Sequence, residues 1–268
     1  MLNNAKNGEV AVGNSIMDYV VFGAGTEPLI ILPGLSDGLR TVRGTAKKQA
    51  RTYRAYAKRY RVYIFSRKHD LHKGYTTRDM ARDQAKAMDA LGIGKANVLG
   101  ISQGGMIAQY LAIDRPDLVK KLVLAVTLCR PNKTVYRTIS RRIDWAKESD
   151  YHPIVVDTIE TSCSLSRRKL YRPFYPFIGR TGAPDDFTRF LIHADACLNH
   201  DSSAELHRID CPTLVIGGDS DRNIGEGTSE ELAERIHRSE LHIYPGLGHA
   251  AFLEAEDFMP RVLDFLSK

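Results

Sequence analysis

No apolar run among the 268 residues approaches the roughly 18–20 consecutive residues that a membrane-spanning helix needs. The N-terminal Met1-Leu2-Asn3-Asn4-Ala5-Lys6-Asn7-Gly8 has no apolar core of a signal peptide, so a cytoplasmic location is expected. The four cysteines, Cys129, Cys163, Cys197 and Cys211, are scattered without a C-x-x-C pair. That spacing points to reduced core thiols rather than disulfide staples or zinc ligands. Nine histidines are present, yet none shows H-x-x-x-H or H-E-x-x-H spacing, so no metal site is indicated. Internal repeats and low-complexity tracts are also absent.

What is present is an ordinary globular composition, 43% hydrophobic, with a formal net charge of +6. The length suits one large α/β domain with an insertion, or two small domains. Much of the basic excess falls at Arg40, Arg43, Lys47, Lys48, Arg51, Arg54, Lys58, Arg59 and Arg61. These alternate with Ala50, Tyr53, Ala55, Tyr56 and Ala57, as on a solvated amphipathic helix whose long stems cover apolar neighbours. No nucleic-acid partner is expected, and steering of an anionic small substrate is the better use for such charge.

The stretch Gly100-Ile101-Ser102-Gln103-Gly104-Gly105 joins the apolar run Ala96–Leu99 to the helical pattern Met106–Leu111. Gly100, Ser102 and Gly104 fit G-x-S-x-G between a strand and a helix, the pattern of a nucleophile elbow. Such a turn strains the serine backbone, and glycines on either side remove side chains that would collide. The serine oxygen then stands above the sheet. The N–H of Gln103 lies at a helix N-terminus, where the dipole favours developing negative charge.

Elsewhere the pattern alternates strands and helices. Val10–Val12 and Ile16–Phe22 flank the turn signal Gly13-Asn14, as in an antiparallel hairpin. Pro28–Leu32 reads as a strand buried on both faces, ending in the stiff loop Pro33-Gly34-Leu35-Ser36-Asp37-Gly38. A long helix is expected from there to about Arg59. The strand Val62–Phe65 and a polar loop, Ser66 to Tyr75, come next. Thr76 and Asp79 then have capping-box spacing, as do Thr228 and Glu231 later. Leu122–Val126, Leu214–Gly217 and Leu241–Tyr244 read as further strands, and a closing helix runs through Phe258, Val262, Phe265 and Leu266. Between Leu128 and His207 no continuous β run occurs, only helix-like segments near 135–149, 153–165 and 185–199. That stretch is too long for a plain crossover. It is expected to form a helical cap, residues 128–207, inserted in a core made of 1–127 and 208–268. The aromatic run Tyr171 to Phe177, with Tyr171 and Phe174 as candidate lining, suggests an apolar pocket together with Pro33 and Gly34.

A serine hydroxyl needs a base to take its proton and a third group to orient that base. His249, in the Gly-rich loop after a late strand, is the favoured base. His193, His200 and His207 fall in the insertion, where surface positions are expected. Asp219 and Asp221 both follow the strand Leu214–Gly217, and either fits as the acid. Asp221 is preferred because it lies further into the loop, while Asp219 would more naturally cap the turn. The oxyanion hole should pair the N–H of Gln103 with that of Leu35.

From about Tyr19 to Leu266 the chain resembles the α/β-hydrolase superfamily. It is most similar to small bacterial serine hydrolases: carboxylesterases, enol-lactonases and cofactor-free haloperoxidases. The resemblance rests on Leu32-Pro33-Gly34, Asp89–Ile93, Gly100–Gln109, Arg115–Val119, Pro212–Asp221 and Gly246–Glu254. It implies a mostly parallel eight-stranded sheet with helices on both faces and a helical cap. It also implies no cofactor, and it places the acid at Asp221 through a G-x-x-D motif and the base at His249. Serine at the elbow separates the chain from haloalkane dehalogenases and epoxide hydrolases, which carry Asp there. Two departures stand out. Most relatives have His-Gly where this chain has Pro33-Gly34, and many have Asp-x-Arg-Gly-x-Gly where it reads Ser66-Arg67-Lys68-His69-Asp70-Leu71.

The activity implied is a serine esterase acting on a small, apolar carboxylic ester. Lactonase, perhydrolase or C–C bond hydrolase chemistry would use the same three side chains. A non-catalytic ligand-binding protein on this fold is the rival of a different class. The expected partner is a small-molecule ester or lactone, with no membrane insertion; a homodimer is compatible with this reading.

Overall fold

The hairpin expected at Gly13-Asn14 forms one edge of the sheet in the computed structural model, which describes residues 4–268. Met1, Leu2 and Asn3, part of the segment read above for a signal peptide, lie outside the described residues. Strands β1 (Lys6–Val12) and β2 (Ser15–Phe22) pair antiparallel through a turn in which Gly13 adopts φ +61°. Strands β3 (Glu27–Leu32), β4 (Tyr60–Lys68), β5 (Ala96–Ile101), β6 (Val119–Ala125), β7 (Thr213–Gly218) and β8 (Ser239–Tyr244) complete one eight-stranded sheet. Its order is β1-β2-β4-β3-β5-β6-β7-β8, and every pairing from β4 to β8 is parallel.

A parallel sheet covered on both faces favours apolar residues on both sides of its strands, and β3 and β5 show how each face is served. Ile30, Leu32 and Val98 point into one core, with α2 (Thr77–Ala90) and α3 (Gln103–Asp114) over it. Leu29, Ile31 and Leu99 point into the opposite core, beneath α1 (Ala46–Thr52) and the C-terminal α10 (Phe258–Ser267). Burial of each such aliphatic chain contributes about 1.5–3 kcal/mol.

All eight strands lie outside residues 128–207. That segment carries α4 (Lys133–Lys147), α5 (Tyr151–Ser162), α6 (Leu165–Tyr171) and α7 (Thr188–Leu198). Helices α4, α5 and α7, but not α6, gather a third apolar cluster around Val135, Ile139, Ile154, Phe187 and Phe190, which also takes in Met106 of α3. Arg189 of α7 fastens this layer to the sheet, donating to the Asp37 carboxylate at 3.0 Å and to the Arg67 carbonyl at 2.8 Å.

Local signals succeeded or failed for identifiable reasons. Thr76 and Asp79 form the reciprocal capping box at the start of α2. Thr228 does not cap α8 (Thr228–Arg235): Gly227, left-handed at φ +77°, occupies the cap, and Thr228 is already the first helical residue. The long helix expected up to Arg59 is also absent. After Pro33 the chain makes a short 3₁₀ turn over Leu35–Gly38, passes Gly44 at φ +77°, and forms only the seven-residue α1. Strand β4 continues through Ser66, Arg67 and Lys68, three residues into the expected polar loop.

Candidate active site

Strand β5 ends at Ile101 and α3 begins at Gln103, leaving Ser102 to make the whole reversal at φ 54°, ψ −121°. This is a strained conformation for a side chain with a Cβ, and its neighbours must yield space for it. A Cβ on Gly100 would stand 2.6 Å from the Gly104 carbonyl oxygen, and one on Gly104 would stand 1.9 Å from the Leu32 carbonyl oxygen. Both glycines of the G-x-S-x-G pattern are therefore sterically required. Thr127 holds the turn from beneath, its hydroxyl donating to the Ser102 carbonyl at 2.7 Å.

Three side chains from separate loops meet at this turn. His249 follows β8, and its Nε2 lies 2.9 Å from Ser102 Oγ. Its Nδ1 lies 2.8 Å from Asp221 Oδ2, in the loop after β7. A carboxylate only accepts, so Nδ1 carries the hydrogen and the Nε2 lone pair faces the serine hydroxyl. The second Asp221 oxygen accepts the Asn223 N–H at 2.8 Å and the Ile224 N–H at 3.0 Å, fixing the carboxylate by its own loop. Asp221 is 4% and His249 7% exposed, so the row is shielded from water along most of its length. The two aspartates differ in their contacts. Asp219 accepts the Gly246 N–H at 2.7 Å, tying the two strand-end loops together without touching His249.

The N–H groups of Leu35 and Gln103, each the first residue of a helical turn, donate to no acceptor among the described residues and are open to a ligand oxygen. Their placement depends on a polar assembly that the sequence reading missed. Arg67, 4% exposed, donates through Nη2 to the Pro33 carbonyl at 2.6 Å and to Gln103 Oε1 at 3.3 Å. Gln103 in turn donates to the His193 carbonyl at 2.7 Å. Burial pulls the Arg67 pKa down to about 10 while the Asp37 carboxylate holds it up, so the group stays cationic at neutral pH. Its signal in the sequence is the unusual Ser66-Arg67-Lys68 directly after the apolar run Val62–Phe65.

A cavity of about 370 Å³ opens over Ser102 and His249. Helix α5 forms much of its wall with one face, Tyr151, Ile154, Val155, Thr158, Ile159 and Ser162. This spacing of three and four is that of a helix stripe. Gly34 and Leu35 belong to the opposite wall, whereas the Pro33 side chain does not reach it. Tyr171 and Phe174, expected to line the pocket, do not. Phe174 is 56% exposed, and the aromatic run lies over the outside of the helical layer, with the Tyr175 hydroxyl on Glu160. The apolar lining comes from the α5 stripe, whose period was readable but whose direction was not. His193 and His200, expected at the surface, are 0% and 1% exposed; only His207 is exposed. Burial drives the pKa of His200 down to about 3 and that of His193 well below the usual histidine value. The four cysteines are unpaired thiols. Among the described residues no cluster of His, Cys, Asp or Glu could hold a metal ion, and no helix is long and apolar enough to cross a membrane.

The chain is similar to known proteins in sequence and in fold. A protein of Caulobacter sp. (strain K31), RutD, provisionally named a carbamate hydrolase, is 28% identical over 226 residues, spanning 80% of this chain and 83% of that protein. The crystal structure of the enol-lactonase from Burkholderia xenovorans LB400 superposes with a TM-score of 0.83 at 22% identity, covering 97% of this chain and all of that one. MGS-M2, an alpha/beta hydrolase enzyme from a Medee basin deep-sea metagenome library, does so with a TM-score of 0.85 at 20% identity, over 97% and 98% of the two chains. At these identities the two structures speak for the fold alone. The family model described as alpha/beta hydrolase fold matches residues 27–175, more than half of the sequence. The chain belongs to the α/β-hydrolase fold family.

Proposed function

We propose that the protein is a serine hydrolase that cleaves a carboxylic ester or a closely related acyl bond through an acyl-enzyme on Ser102. The observation that carries this reading is the unbroken row Ser102 Oγ, His249 Nε2 and Nδ1, Asp221 Oδ2, at 2.9 and 2.8 Å, facing the cavity. A hydroxyl whose proton already points at an imidazole lone pair is poised for attack.

In this mechanism Ser102 Oγ bonds to the substrate carbonyl carbon as its proton passes to His249 Nε2. Asp221 stabilises the resulting imidazolium and keeps its orientation. The carbonyl oxygen becomes an oxyanion held by the N–H groups of Leu35 and Gln103, the latter at the positive end of α3. Collapse breaks the bond to the leaving group, which departs with the His249 proton. Water then enters, gives a proton to His249, and its oxygen attacks the acyl carbon. Return of that proton to Ser102 Oγ frees the acid. Residues 128–207 act as the cap that shapes the acyl site, chiefly through α5. Carbamate or lactone cleavage, suggested by the names of the RutD relatives and of the enol-lactonase, would follow the same course.

A panel of 4-nitrophenyl esters with purified protein tests the reading, with Ser102→Ala as the control. Turnover should fall at least about 10³-fold in kcat in that variant. Near-normal turnover would remove Ser102 from its role.

A further inference from the structure

Arg142 is the one side chain with a permanent charge in the lining of the cavity over Ser102. It reaches there from α4 and is 4% exposed. Two of its nitrogens are engaged: Nε donates to Asp157 Oδ2 at 2.8 Å and Nη2 to Thr161 Oγ1 at 2.7 Å, both on α5. Nη1 donates to no acceptor among the described residues, and it is not among the sealed, unpartnered atoms. Asp157 is also shared, because Arg141 binds its other oxygen. Two guanidinium groups thus face one carboxylate, so no side chain balances the second positive charge; Arg141 has 40% of its side chain in water and Arg142 only 5%. No acidic side chain lines the cavity to balance it.

A crosslink between α4 and α5 would account for Nε and Nη2. It does not account for the surplus charge or for the free Nη1 beside apolar walls, where a charge acts strongly because little water screens it. We infer that Arg142 determines specificity by binding a carboxylate carried on the acyl part of the substrate, so that the preferred substrates are half-esters or equivalent acyl derivatives of dicarboxylic acids. The fork geometry and permanent charge of arginine suit a carboxylate. The apolar stripe of α5 would accommodate the methylene chain between the two ends.

This inference rests on the serine-hydrolase reading, and the experiment separates the two. Mono-4-nitrophenyl adipate and suberate are compared with 4-nitrophenyl hexanoate and octanoate, using the intact protein, Arg142→Met and Ser102→Ala. The intact protein should favour an anionic ester over its neutral counterpart at least about tenfold in kcat/KM. Arg142→Met should abolish that preference through KM, lowering kcat/KM for the anionic esters at least about tenfold more than for the neutral ones. Turnover surviving in Ser102→Ala would sink the mechanism itself. Equal use of both series by the intact protein, or an equal loss on both in Arg142→Met, would overturn the carboxylate site alone. Calorimetric binding of adipate against hexanamide to the intact protein decides without turnover and without a folded variant. Adipate should bind at least about tenfold more tightly, and equal binding overturns the site.

Discussion

Arg67 donates to the Pro33 carbonyl across 2.6 Å, joining the end of β4 to the loop that presents the Leu35 N–H. The same nitrogen reaches Gln103 Oε1, so one buried cation braces both walls of the proposed oxyanion hole. Arg67→Met should lower kcat by about 10–100-fold with little change in KM, since the ground-state cavity is untouched. Asp37 keeps Arg189 as a partner in the variant, which limits the loss of stability to about 2–3 kcal/mol. Equal damage to kcat and KM would show a general collapse of the site instead.

The two aspartates after β7 should separate cleanly. Asp221→Asn leaves a side chain of the same shape but can offer an N–H to His249 Nδ1, favouring the wrong tautomer. A fall of about 10³–10⁴ in kcat is expected. Asp219→Asn loosens only the bond to the Gly246 N–H and should keep at least about a tenth of normal kcat. Steady-state kinetics on one ester settles both, and a larger effect at Asp219 would reverse the assignment.

Gly104→Ala places a Cβ against the Leu32 carbonyl, a backbone atom that cannot turn aside. The elbow would have to shift relative to β3. A loss of more than about 2 kcal/mol is expected, seen as a fall in melting temperature of at least about 4 °C. An unchanged melting temperature would mean that the turn is less tightly packed than described.

Stability should decline below pH 6.5 through the buried histidines. His200, at about 3 in the folded chain, is neutral there, whereas in the unfolded chain it protonates near 6.5. The unfolded state therefore binds more protons between these values. The stability this group contributes is complete above about 6.5 and is lost as pH falls towards 3. Between pH 7 and 5 the loss is about 2 kcal/mol for His200, with a contribution of the same sign from His193. Denaturant unfolding across that range should show the decline, and His200→Gln should flatten it. An equal slope in that variant would mean that His200 does not titrate on unfolding.

The sequence was most legible where chemistry depends on short loops at strand ends. Ser102, Asp221 and His249 each sit in a Gly-bearing turn, and the structure brings the three together within hydrogen-bonding distance. The positions of most strands, too, follow from the apolar runs, although their order in the sheet does not. Residues that act through distant contacts were not legible. Arg67 looked like the start of a polar loop because its partners, Pro33 and Gln103, lie 34 and 36 positions away. The conspicuous aromatics Tyr171 and Phe174 suggest a cavity wall that they do not form, because composition does not state which way a segment faces. The quieter stripe on α5 lines the space because α5 lies across the carboxyl ends of the strands. Thr228 failed as a cap because the preceding Gly227 could adopt a left-handed conformation that suits the turn.

The most direct test of the account is covalent capture of the nucleophile. The protein is treated with a fluorophosphonate and digested for mass spectrometry. One adduct per chain is expected, on the peptide containing Ser102, with labelling slowed at least about 10³-fold in His249→Ala. No adduct, an adduct on another residue, or labelling at the normal rate without His249 would contradict the proposed role of the Ser102–His249–Asp221 row.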